Sequence, residues 1–269
     1  MRVLLSILLL VLPGFAWAET RAALVLAAER YEALRPLQNP VNDARAIEDR
    51  LIALGFEVYT ETNRDLRRMR RAFEDFADDA AGADVALVFF AGHGMEVAGQ
   101  NLLLPVDAPA DNLDALRAGG VPLDEVAAVL QGVAPVGLLI VDACRTDPFG
   151  STGRGAMSLA RRPEVSPGMA RLGRADNLLY AFSAAPGQAA ADGTGDNSPF
   201  TEALSRHLET PGLEIRQVLT LVVHLVSGRL QRLLICQPFA NIAQYQHCPT
   251  LCAGAAAQGH LNQLAVLAG

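Results

Sequence analysis

The sequence predicts an α/β fold, with a mostly parallel central sheet flanked by helices on both faces. Residues 85–91 (VALVFFA) and 136–141 (VGLLIV) are continuously apolar and rich in β-branched and aromatic residues, the composition of strands covered on both sides. Segments of helical spacing separate such strands, in the order that parallel strands with crossover helices require. A reactive side chain also follows directly on each of these two runs. His93 stands in Ala91-Gly92-His93-Gly94, and Cys144 follows 51 residues later in Asp142-Ala143-Cys144-Arg145. An open α/β sheet collects the last residues of its strands in a crevice at the carboxyl edge, so the two are expected to meet there.

Residues 1–18 are set aside from the fold. Arg2 supplies a positive start, residues 3–12 are apolar apart from Ser6, and Ala16-Trp17-Ala18 has the small-x-small form of a signal-peptidase site. The apolar stretch is too short to span a bilayer. The expectation is a signal peptide over 1–18, export to the periplasm or medium, and no stable membrane insertion after cleavage. An uncleaved anchor or a lipid-free buried start is the alternative. The remaining chain is long enough for one large domain. Its acidic balance, −7 overall and −8 without Arg2, argues against nucleic acid as a partner. Four cysteines are too few for a disulfide scaffold; Cys236, Cys248 and Cys252 cluster near the end, permitting one bridge there.

Residues 22–28 read as the first strand. Apolar positions Val41, Ala44, Ile47, Leu51 and Leu54 recur at threes and fours and mark a helix, which Gly55 ends. Residues 56–60 alternate as a strand does, and Leu66, Met69, Phe73, Phe76 and Ala80 mark a second helix. The opposite face of that helix carries Arg67, Arg68, Arg70 and Arg71, read as solvated. After the strand at 85–91, residues 97–102 have the composition of a hairpin turn, with 102–104 returning. Residues 122–132 form a short helix opened by a proline, and the strand at 136–141 follows.

The stretch 148–177 has no period. It holds five glycines, three prolines and Arg154, Arg161, Arg162, Arg171 and Arg174, and reads as a flexible Arg-rich loop. A strand resumes at 177–183. Ser198-Pro199 opens a helix through Phe200, Ala203, Leu204 and Leu208, and a last helix runs through Ile215, Val218, Leu219, Val222 and Val226. Beyond Arg232 no charged residue occurs, and 233–269 is treated as a tail outside the main domain at 19–232.

A cysteine nucleophile acts as its thiolate, and a neighbouring imidazole supports that ionisation and later protonates a leaving amine. His93 and Cys144 are the residue types required, and the amides of Gly94 and Cys144 are candidate oxyanion donors. FFAGHG followed by IVDACR resembles the caspase-type cysteine peptidases, in particular the metacaspase-like bacterial members. Asn42-Asp43-Ala44, AFSAAPG at 181–187, and Asp192-Gly193 through Asn197-Ser198-Pro199-Phe200 extend the resemblance over about 21–230.

The resemblance implies a caspase-like α/β/α sandwich and an endopeptidase that works through an acyl-enzyme, with Cys144 as nucleophile and His93 as general base and acid. No third member of a triad is evident in the sequence. Asp142 stands where animal caspases carry a glutamine, and Asp43 matches the second acidic position of the metacaspase specificity pocket. With Ser183 they form the expected substrate-binding set, and cleavage after Arg or Lys is expected. The arginines of 148–177 are then candidate self-cleavage sites or simply a solvated loop. No cofactor is required. Calcium activation occurs among metacaspases, and Asp107, Asp111 and Asp114 lie in one acidic stretch whose plainer role is solubility. His247, Cys248, Cys252 and His260 match no zinc spacing, so no metal is assigned. The partner is a polypeptide substrate, with oligomeric state left open. The alternatives are a catalytically silent caspase-fold interaction module and a Cys-His hydrolase acting on something other than peptide.

Overall fold

The computed structural model describes residues 19–144, 165–167, 177–183 and 193–226. The leader at 1–18, almost all of the Arg-rich loop and the uncharged tail lie outside them. The elements, in order, are β1 (Arg21–Ala27), α1 (Pro40–Ala53), β2 (Glu57–Thr62), α2 (Leu66–Asp79), β3 (Val85–Val97), β4 (Gln100–Leu103) and α3 (Leu113–Ala118). Then come β5 (Val121–Pro122), α4 (Leu123–Val133), β6 (Val136–Cys144), β7 (Val165–Pro167), β8 (Leu178–Phe182), α5 (Pro199–His207) and α6 (Ile215–Val226).

β1 pairs in parallel with β2 and β3, β3 with β6, and β6 with β8. The centre of the molecule is therefore the parallel order β2-β1-β3-β6-β8. Helices cover both faces. Alternation along the strands sends Leu24, Leu26, Val88, Phe90, Leu139 and Val141 to one side, where α2 and α4 contribute Phe73, Phe76, Val126 and Leu130. Val25, Leu87, Phe89, Leu138 and Ile140 face the other side, against Ile47 and Leu51 of α1, Phe200 and Leu204 of α5, and Val218 and Val222 of α6. The expected sandwich is the observed one.

Helix starts follow the local chemistry. Asp65 caps α2 by accepting from the Arg68 N–H at 2.7 Å, and Asn112 caps α3 by accepting from the Ala115 N–H at 2.9 Å. Asp107 accepts from the Leu66 N–H at 2.8 Å and so closes the start of α2 from a distance. The arginine face of α2 is indeed solvated, with Arg68 against Asp65, Arg71 against Asp75 and Arg70 against Glu125 of α4.

Four features depart from expectation. β3 does not stop at Ala91: it continues through His93 to Val97, because β4 and β7 pair with its far end in antiparallel fashion. The glycines around His93 interrupt the apolar run, but they do not interrupt the hydrogen-bond ladder. Cys144 likewise is the last residue of β6 and not a position beyond it. The hairpin turn is tighter than expected, made by Ala98 and Gly99 with φ of 50° and 81°, the left-handed pair that a two-residue turn needs. Helix α3 was not expected; it is six residues long and buries only Leu116, too little for a periodicity to register. No helix among the described residues is long and apolar enough to cross a membrane.

Candidate active site

The parallel register of β3 and β6 pairs Ala91 with Asp142, Gly92 with Ala143, and His93 with Cys144. Adjacent strands lie about 4.8 Å apart, so the backbones of residues 93 and 144 are direct neighbours. On the far side of β6, Val141 pairs with Phe182 and accepts from the Ser183 N–H at 3.1 Å, which sets the half-buried Ser183 level with Asp142.

His93 is 1% exposed. Its Nε2 lies 2.7 Å from the carbonyl oxygen of Arg35. A carbonyl only accepts, so Nε2 carries the proton of the neutral ring and Nδ1 is its basic nitrogen. That carbonyl is the orienting partner for which the side-chain sequence offered no sign. The segment between β1 and α1 that supplies it is tied down on several sides. Asn63, with φ of 52°, accepts from the Glu29 and Arg30 N–H groups at 3.0 and 3.1 Å. Leu37 N–H donates to Glu29 O, and Glu32 N–H to Val106 O. From the same segment Tyr31 places its ring 4.5 Å from the imidazole, at 43°, and its hydroxyl accepts from the His93 N–H at 2.6 Å.

Gly94 lies one step further along β3, opposite Leu103. The Leu104 N–H donates to His93 O at 3.0 Å. The alternation of an antiparallel ladder then turns the Gly94 N–H to the opposite edge of β3, the edge along which β6 runs. This is the side on which an oxyanion donor beside residue 144 has to point.

The two acidic residues meet at the start of α5. Asp43, in the first turn of α1, is 2% exposed and accepts from Asn197 Nδ2 at 3.0 Å and from the Ser198 N–H at 2.9 Å. Asp142 is 6% exposed and accepts from the hydroxyls of Ser198 and of Thr201, the latter at 2.9 Å. Ser198 in turn accepts from the Thr201 N–H at 2.9 Å and caps α5. Asp142 is thus held by two hydroxyls toward α5. Ser198 and Thr201 are buried in the same cluster, with Asn197 half-buried beside them; the sequence showed Ser198 as a helix cap and as part of the family-like stretch 197–200, but not as a partner of either carboxylate.

Asp107, Asp111 and Asp114 do not converge. Among the described residues no group of three or more His, Cys, Asp or Glu side chains is disposed to hold a metal ion. Asp107 is occupied in closing α2, and the three carboxylates form no such group. Cys248, Cys252, His247 and His260 lie outside the described residues.

A family model described as Caspase domain matches residues 20–256, running past Arg232 into the uncharged stretch. Among solved structures, the crystal structure of caspase-1 from Spodoptera frugiperda superposes with a TM-score of 0.55 at 22% identity, covering 77% of each chain. No curated protein matches this sequence significantly.

Proposed function

Because the chain belongs to the caspase domain family of cysteine peptidases, we propose that it is an endopeptidase working through a Cys144–His93 dyad and cleaving after Arg or Lys. The observation that carries this reading is the register that sets residue 144 opposite residue 93 on the adjacent strand. Nδ1 of His93, basic because Nε2 is committed to the Arg35 carbonyl, accepts the Cys144 thiol proton. The thiolate adds to the scissile carbonyl carbon, and the oxyanion is met by the amides of Gly94 and Cys144. As the tetrahedral adduct collapses, the C–N bond breaks and the imidazolium returns its proton to the leaving amine. Water then adds to the thioester with His93 again as base, the C–S bond breaks as the adduct collapses, the Cys144 thiolate takes the proton back from the imidazolium, and the acid product leaves.

Asp142, level with Ser183 at the carboxyl edge, and Asp43, joined to it through Ser198, are two buried carboxylates that suit a cationic P1 side chain and oppose an anionic one. Fluorogenic peptides with Arg, Lys or Asp at P1, assayed with the wild type, Cys144→Ala and Asp142→Asn, test both parts. Expected are turnover of the Arg and Lys peptides, its complete loss in Cys144→Ala, and a fall of about thirtyfold in kcat/KM for Asp142→Asn, the equivalent of about 2 kcal/mol. Turnover independent of Cys144 would overturn the dyad. A preference for Asp at P1 would overturn the pocket.

A further inference from the structure

We propose that Tyr31 is a positioning residue for His93, through a hydroxyl wedged into the backbone ladder of β3. In an antiparallel pair of the closely bonded kind, the two residues exchange both N–H···O=C bonds. His93 and Leu104 make only one of them directly, from Leu104 N–H to His93 O at 3.0 Å. The other passes through Tyr31. Its Oη accepts from the His93 N–H at 2.6 Å and donates to the Leu104 carbonyl at 3.1 Å. The phenol has one proton and can do both at once, so it is a spacer that holds His93 N away from Leu104 O.

The room for this spacer is built on the other side as well. A Cβ on Gly92 would lie 2.7 Å from Tyr31 Oη and 2.7 Å from Phe90 Cζ, so only glycine leaves the hydroxyl its place. The Tyr31 ring stands against the imidazole, and the segment that carries it also supplies the Arg35 carbonyl to Nε2. Backbone and ring of His93 are thereby located by one short stretch of chain. Without the hydroxyl the ladder closes, the 92–93 peptide turns toward Leu104, and the imidazole moves with it. The consequence falls on the geometry of proton transfer, where misplacement by about 1 Å costs on the order of a hundredfold in rate.

The assignment rests on the reading of His93 as the base for Cys144, and the test separates the two. Full-length wild type, Tyr31→Phe and His93→Ala are alkylated with iodoacetamide across a pH series. Modification is followed on the peptide containing Cys144, and kcat and KM are measured on the Arg-P1 peptide. In Tyr31→Phe the pH limb of Cys144 alkylation is expected to move up toward the free-cysteine value of about 8.5. kcat should fall by roughly tenfold to a hundredfold with KM little changed. A Tyr31→Phe protein that melts earlier but keeps both kcat and the alkylation limb has lost only packing, and the assignment is then wrong. If the folded Tyr31→Phe protein does not accumulate, Gly92→Ala crowds the same hydroxyl from the other side; an unmoved limb there is equally fatal. Should His93→Ala leave the limb in place, the dyad fails and the role of Tyr31 falls with it. Should His93→Ala move it while Tyr31→Phe does not, Tyr31 alone is misassigned.

Discussion

Ser198 joins three functions in one side chain and its own backbone. Its hydroxyl caps α5 and donates to Asp142, and its N–H donates to Asp43. Removing the hydroxyl deletes the cap and strips a buried carboxylate of one donor. Ser198→Ala is therefore expected to lower stability by about 1–3 kcal/mol in urea titrations, with a raised KM for Arg-P1 peptides. A variant as stable as the wild type would show that Thr201 alone suffices. His93 and Cys144 were legible in the sequence because a reactive residue at the end of an apolar run is a local pattern. The groups that hold His93 were not. The Arg35 partner is a backbone carbonyl, which every residue possesses, and Tyr31 acts on a residue 62 positions away through an oxygen inserted between strands. Asp43 and Asp142 were legible as acidic residues. Their common partner was not, since it comes from the start of α5.

Among the elements, β3 is the one on which the site depends. Its first half pairs in parallel with β1 and β6, and its second half antiparallel with β4 and β7, so the histidine lies where one regime gives way to the other. The sequence showed the first half plainly and lost the second, because the interruption by Gly92 and Gly94 looks like an end when partners are unknown. The starts of β1 and β3 are fastened by a small clip at the opposite edge. Asp84 Oδ2 accepts from the Thr20 N–H at 2.7 Å and from the Thr20 hydroxyl at 3.0 Å, and these bonds hold its carboxyl below the ordinary value of 3.8. A carboxyl lowered on folding contributes stability above its unfolded value and loses that contribution as pH falls through the folded one. The stability difference between wild type and Asp84→Asn should therefore be constant at neutral pH and shrink below pH 3.8. A difference that grows on acidification would contradict the sign.

At the level of the whole molecule, one parallel sheet separates two apolar clusters, and neither can exist without the strands it shares with the other. Ile47 and Phe76 each sit at 1% exposure on opposite faces. Ile47→Ala and Phe76→Ala should each cost about 2–5 kcal/mol and shift one common urea midpoint, read identically by far-ultraviolet and near-ultraviolet circular dichroism. Separate transitions would mean that the faces unfold independently. The layered architecture was the most legible property of all, because it follows from periodicity alone: continuous apolar runs in the middle strands and three-and-four spacing in the helices.

The stretch between β1 and α1 brings Tyr31 and Arg35 to the histidine, and it is bonded in place by the chain itself, through Asn63, Val106 and its own Glu29–Leu37 contact. Its conformational entropy is lost once, when the chain folds, and not again at each turnover. The imidazole proposed as the base is therefore held in position by folding itself, and on that proposal the ordering left for a bound peptide to bring about is reduced by that much.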